Sequence, residues 1–203
     1  MFLRLAGVLL GLLVLAPATA HQVAGVSLPP HITVAGTPLV LNGAGVRRHF
    51  FFEVYVGALY VEERAASPAV LIEAPAAKCM YLHFLRDVRA ERIAETLLKG
   101  LRANVGEAGV ARLQTRIDRL RGAIPDLRAG DRVRLEFSDG ERTRAWVNDV
   151  LVADEPGRDF QRAVLSFWLG KRPIDARLKQ ALLGADDAGR YARDDAYPDL
   201  GRP

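Results

Sequence analysis

Apolar residues alternate with polar ones through most of the first half of the chain, then switch to helical spacing, back to alternation, and finally to helical spacing again. Residues 32–34 and 39–42 read as short strands, divided by the turn chemistry of Ala35-Gly36-Thr37-Pro38. Residues 47–62 are rich in Phe, Val and Tyr and free of proline, which predicts one long strand or a pair of strands. Ser67 and Pro68 mark the cap and first position of a short helix, and residues 78–88 return to strand.

Ala90, Ile93, Ala94, Leu97, Leu98 and Leu101 recur at three and four residues and predict an amphipathic helix. Leu113, Ile117 and Leu120 mark a second helix over 110–121, closed by Pro125. Val133, Leu135 and Phe137 alternate with charged residues before a hairpin turn at Ser138-Asp139-Gly140. Thr143, Ala145 and Val147 continue on a partner strand, Asn148-Asp149 turns the chain again, and this alternation implies one buried and one wet face. Helices over 157–169 and 175–183 follow. This order predicts an α+β fold, a largely antiparallel sheet covered on one side by a layer of helices.

The two ends stand apart. One positive charge at Arg4, an apolar run from Leu5 to Leu15 and the small-x-small pattern Ala18-Thr19-Ala20 describe an export signal over residues 1–20, cleaved after Ala20. The run is about half the ~20 residues needed to cross a bilayer. The expected product is a periplasmic or otherwise exported chain with no stable membrane insertion after cleavage. Residues 21–184 make one domain, and residues 185–203, rich in Asp, Arg, Gly and Pro, read as a flexible tail.

Composition narrows the chemistry. Cys79 is the single cysteine, so no internal disulfide forms, and its alternating surroundings suggest a buried, inert thiol. The net charge of +4 is spread over 24 arginines and 4 lysines scattered among carboxylates, which argues against a nucleic-acid partner. His21, His31, His49 and His83 lack paired metal-ligand spacing, and only an N-terminal His21 exposed by cleavage offers a copper chelate. No Gly-x-Ser-x-Gly motif is present, and Glu62-Glu63 and Asp186-Asp187 read as solvated pairs, so no catalytic residue, metal or cofactor is assigned. Gly43-Ala44-Gly45 precedes a strand where a phosphate cradle would open a helix, and its glycines read as turn residues.

That leaves Arg47 and Arg48 at the mouth of the most apolar segment. Neighbouring strand residues face opposite ways, so one arginine points to solvent and the other to the interior or a cleft. The inward one needs an internal acid or an anionic ligand.

Asn42-Gly43-Ala44-Gly45-Val46-Arg47 resembles the Gly-x-Gly-x-Arg segment of chalcone isomerases and the related fatty-acid-binding proteins. Residues 53–61 resemble the Lys-Val-Tyr strand of the fatty-acid-binding branch, and residues 163–170 with Pro173, Asp175, Leu178 and Lys179 resemble the terminal helices. The resemblance covers residues 25–184 and implies the chalcone isomerase-like fold, an open-faced β-sandwich. It places Arg47 at the family's essential arginine, Tyr55 where true isomerases carry a threonine, and Phe167 where they carry Thr or Ser. The isomerases' tyrosine and asparagine on the long helix fall near Arg92 and Lys99.

Loss of those hydroxyls removes most of the donors that cyclisation needs, whereas arginine plus a tyrosine hydroxyl suits a carboxylate. The expected function is therefore non-catalytic binding of a small-molecule ligand, a fatty acid or similar amphiphile, by Arg47 and Tyr55. The alternatives are an isomerase or lyase acting on a phenolic or enone substrate with Arg47 as electrophile, and an envelope protein whose arginine is internally paired. One geometric condition attaches to the binding reading. Eight residues of straight strand would hold Arg47 and Tyr55 about 26 Å apart, so the chain has to bend or pair with itself near Phe50–Glu53.

Overall fold

It does pair with itself. In the computed structural model, which describes residues 20–138 and 142–184, the long apolar segment folds at Phe50-Phe51 into a hairpin of β4 (Thr37–His49) and β5 (Phe52–Val61). Arg47 and Tyr55 are direct partners across that hairpin. Register shifts leave one extra residue in each strand, Asn42 in β4 and Val54 in β5, and bend the hairpin.

Upstream lie β1 (His21–Val23), β2 (Val26–Leu28) and β3 (His31–Val34); downstream, β6 (Lys78–Phe84), β7 (Arg132–Ser138), β8 (Arg142–Val147) and β9 (Val150–Pro156). β3 to β9 form one seven-stranded antiparallel sheet in sequence order, and β1 and β2 pair separately. Ala35-Gly36 and Asn148-Asp149 turn with positive φ, as two-residue hairpin loops require. The strand expected over 78–88 stops at Phe84, after which Val88 bridges Leu127. The turn at Asp139-Gly140, the export signal up to Thr19 and the tail from 185 lie outside the described residues.

Four helices cover one face: α1 (Pro68–Glu73), α2 (Ala90–Ala123), α3 (Arg158–Leu169) and α4 (Ala176–Leu182). The Ser67 side chain caps α1 as expected. The two helices expected between 90 and 121 run on as α2, broken only at Gly106, whose φ of 70° and ψ of 175° are not helical. The main core joins Leu97, Leu101, Ile117 and Leu120 of α2 and Phe160 and Val164 of α3 to Leu59, Met80, Leu82 and Leu135 of the sheet.

The wet back face holds only in part. Behind β4 to β6 a second buried cluster forms around Leu28, Leu41, Val56, Tyr60 and Cys79, partly roofed by the β1–β2 hairpin. Cys79 is fully buried there, and desolvation pushes its thiol pKa up.

Gly43 and Gly45 are strand residues, not turn residues, and the reason is steric. A Cβ on Gly43 would lie 2.1 Å from the Ala181 carbonyl oxygen, and one on Gly45 would lie 2.6 Å from the Ala181 Cβ. The missing side chains let α4 lie directly on β4. Asn42, at the bulge, fastens the same contact by donating to the Leu182 carbonyl at 2.7 Å.

Candidate functional site

The two arginines divide as strand parity requires. Arg48 is exposed and pairs with Glu53 at 2.6 Å. Arg47 points toward the helix layer, its guanidinium carbon 5.6 Å from the Tyr55 ring centroid. No carboxylate among the described residues pairs with Arg47, and its buried Nε has no hydrogen-bond partner.

Asp175, Asp87 and Glu95 each have partners other than Arg47. Asp175 caps α4, with Oδ1 accepting from the Arg177 and Leu178 amides and Oδ2 accepting from the Arg48 amide. Asp87 accepts from the Ala129 amide, and Glu95 pairs with Arg92. A guanidinium held in this way retains donors for a guest.

Tyr55 is buried, and its ring packs over Gly57 and against Phe84. Its hydroxyl oxygen accepts from Trp168 Nε1 at 2.9 Å, and among the described residues the phenolic proton has no acceptor. Desolvation pushes its pKa up to about 12, against the opposing pull of Arg47 and the Trp168 hydrogen bond. At neutral pH the hydroxyl is therefore a donor. The sequence reading missed Trp168, although it lies in the Trp168–Asp175 stretch.

That stretch is a clasp between helices. α3 ends at Gly170, where a Cβ would lie 2.2 Å from Asn104 Oδ1. Asn104 reads Arg172 on both sides, donating to its carbonyl at 2.8 Å and accepting from its amide at 3.0 Å. The Ile174 amide donates to the Phe167 carbonyl at 2.9 Å, tucking Pro173 and Ile174 under α3 before Asp175 starts α4. The clasp fixes the Trp168 indole over Tyr55.

Arg47, Tyr55 and Trp168 line a cavity of about 850 Å³ between β5 to β7 and the helices α2 and α3. One part of its wall is apolar, with Leu82, Leu97, Leu120, Val133, Leu135 and Val164. Phe167 also lines it, pressed on Gly100 of α2 so closely that a Cβ there would lie 2.4 Å from the ring. Arg92 and Lys99, the helix positions picked out by the resemblance, line the cavity too. Six cations (Arg47, Arg86, Arg89, Arg92, Lys99 and Arg172) face it against two carboxylates, Asp87 and Glu95. Such a space suits an amphiphile with an anionic end. Among the described residues no group of His, Cys, Asp and Glu is arranged to hold a metal ion. A shallow depression of about 390 Å³ beside Ala90 and Asp118 is not lined by Arg47, Tyr55 or Trp168.

A family model described as chalcone isomerase-like matches residues 20–184. Among solved structures, the crystal structure of an Arabidopsis thaliana fatty-acid binding protein is similar, with a TM-score of 0.62 and 16% sequence identity. The match covers 85% of this chain and 96% of that one. No curated protein sequence matches.

Proposed function

The chain belongs to the chalcone isomerase-like family, and from that premise we propose that it binds a fatty acid or similar amphiphilic carboxylate without transforming it. Arg47 and the Tyr55 hydroxyl hold the carboxylate, and the acyl chain lies along the apolar wall toward β7. The observation that carries this reading is Arg47, unpaired among the described residues, beside a spare phenolic donor in a cavity of about 850 Å³ that also has an apolar wall. An arginine in such a setting costs stability unless an anion answers it. The name of the plant fatty-acid binding protein with the same fold supports the choice of ligand class.

Native mass spectrometry of protein purified without detergent tests the reading. The expected result is a fatty-acid adduct, exchangeable with added fatty acid and lost in Arg47→Ala. Absence of any adduct, with no uptake of added fatty acid, overturns it. Turnover of a chalcone that disappears in Arg47→Ala establishes the isomerase instead. The proposal includes export, supported by the signal pattern of residues 1–20 and checked by N-terminal sequencing of the protein outside the cytoplasm.

A further inference from the structure

The tip of the β4–β5 hairpin presents three consecutive phenylalanines to solvent: Phe50 is 81% exposed, Phe51 98% and Phe52 57%. Single exposed apolar residues are ordinary, but a contiguous aromatic tip is not. The backbone there is also costly. Phe50 has a φ of 54°, a left-handed conformation that hairpin loops normally give to Gly or Asn. Pairing of His49 with Phe52 and the ion pair of Arg48 with Glu53 hold the strands below it. The loop therefore thrusts two rings outward where a small polar residue would relieve both the strain and the exposure.

The surroundings of the tip are basic. Arg86 stacks over the Phe52 ring at 4.3 Å, and Arg47, Arg86 and Arg172 line the same cavity as Phe52 and His49. A convex aromatic tip with a cationic collar matches a surface that is anionic outside and apolar beneath. A second copy of the chain fits poorly, because it would bring two cationic collars together.

We propose that this hairpin tip docks on an anionic phospholipid surface, with Phe50 and Phe51 among the acyl chains and Arg86, stacked on Phe52, among the headgroups. Among the described residues no helix is long and apolar enough to cross a membrane, so the contact is peripheral. Docking needs no occupied cavity and stands apart from the ligand reading. Taken with that reading, it brings the end of the cavity lined by His49 and Phe52 to the bilayer, where an amphiphile passes without crossing open water.

The test is flotation of the full chain with vesicles of phosphatidylglycerol and phosphatidylcholine in equal parts. Phe50→Ser/Phe51→Ser is compared with Val70→Ser, which removes an exposed apolar residue from α1, in the connection that follows the other end of β5. The expected partition coefficient falls at least about tenfold in the double variant, from the loss of two inserted rings, and does not change in Val70→Ser. In parallel, a Phe51→Trp variant is expected to be quenched by vesicles carrying brominated acyl chains. Equal flotation of the wild type and the double variant, or no added quenching at residue 51, overturns the proposal. Self-association that needs Phe50 and Phe51, in a protein that ignores the vesicles, assigns the tip to a second copy instead.

Discussion

The indole of Trp168 donates to the hydroxyl of Tyr55 at 2.9 Å, joining residues 113 apart in sequence in a buried hydrogen bond. This one contact occupies one lone pair of the tyrosine's oxygen, and among the described residues its proton has no acceptor. The clasp from Gly170 to Asp175 therefore matters to the cavity although only part of it lines the wall.

Tyr55→Phe leaves the Trp168 N–H buried without an acceptor, an expected loss of about 1–3 kcal/mol. Trp168→Phe removes the donor and costs about 1 kcal/mol for the hydrogen bond, with packing loss in addition. In a double-mutant cycle by urea denaturation, the two changes together are expected to cost about 1 kcal/mol less than their sum. Strict additivity would mean that the contact is not energetically real.

Raising the pH works on the same tyrosine. Its pKa is raised from 10.0 to about 12, so the folded state resists ionisation that the unfolded chain accepts. The stability this contributes is complete below pH 10 and falls away between about pH 10 and 12. Tyr60 and Cys79 are displaced in the same direction by burial and add to the fall. Lys78, lowered to about 8 by burial, has the opposite sign and gains stability as pH rises from about 8 to 10.5. Denaturation at pH 9 and pH 11 (about one unit either side of the unfolded tyrosine's pKa) is expected to show a smaller loss in Tyr55→Phe than in the wild type.

Gly43→Ala is expected to destabilise by about 2 kcal/mol or more, because the new methyl has backbone in its way and α4 has to lift from the sheet. Gly122→Ala is the contrast. That glycine lies near the end of α2 with open space around it, and alanine there is expected to stabilise by about 0.5 kcal/mol. Thermal melts of the two variants measure the difference directly.

These glycines show where sequence reading stops. The Gly43-Ala44-Gly45 pattern was visible, but its meaning depends on α4, which lies more than a hundred residues downstream and touches β4 only in the folded chain. Strand parity did separate Arg47 from Arg48, since alternation is local. The hairpin at Phe50-Phe51 is only one of two options on sequence, because its loop carries none of the usual turn residues. β1 and β2, three residues each, are too short to show a period. Trp168 stood in a recognised motif, yet its partner is fixed by tertiary structure alone.

Arg47 itself is expected to cost stability in the empty protein. Arg47→Met removes a partly buried guanidinium whose Nε has no partner, and is expected to raise the unfolding free energy by about 1 kcal/mol. A fall in stability would show that the arginine serves the fold, as an internally paired residue does.

The central claim is that Arg47 meets a carboxylate, and titration calorimetry of palmitic acid against hexadecanol tests it most directly, in wild type and Arg47→Gln. A charge-assisted hydrogen bond contributes about 1.5–3 kcal/mol, so wild type is expected to bind the acid about 10- to 150-fold more tightly than the alcohol. Arg47→Gln is expected to erase that preference while leaving the alcohol's affinity unchanged. Equal affinity of the wild type for acid and alcohol, or an acid affinity unmoved by Arg47→Gln, would contradict the account.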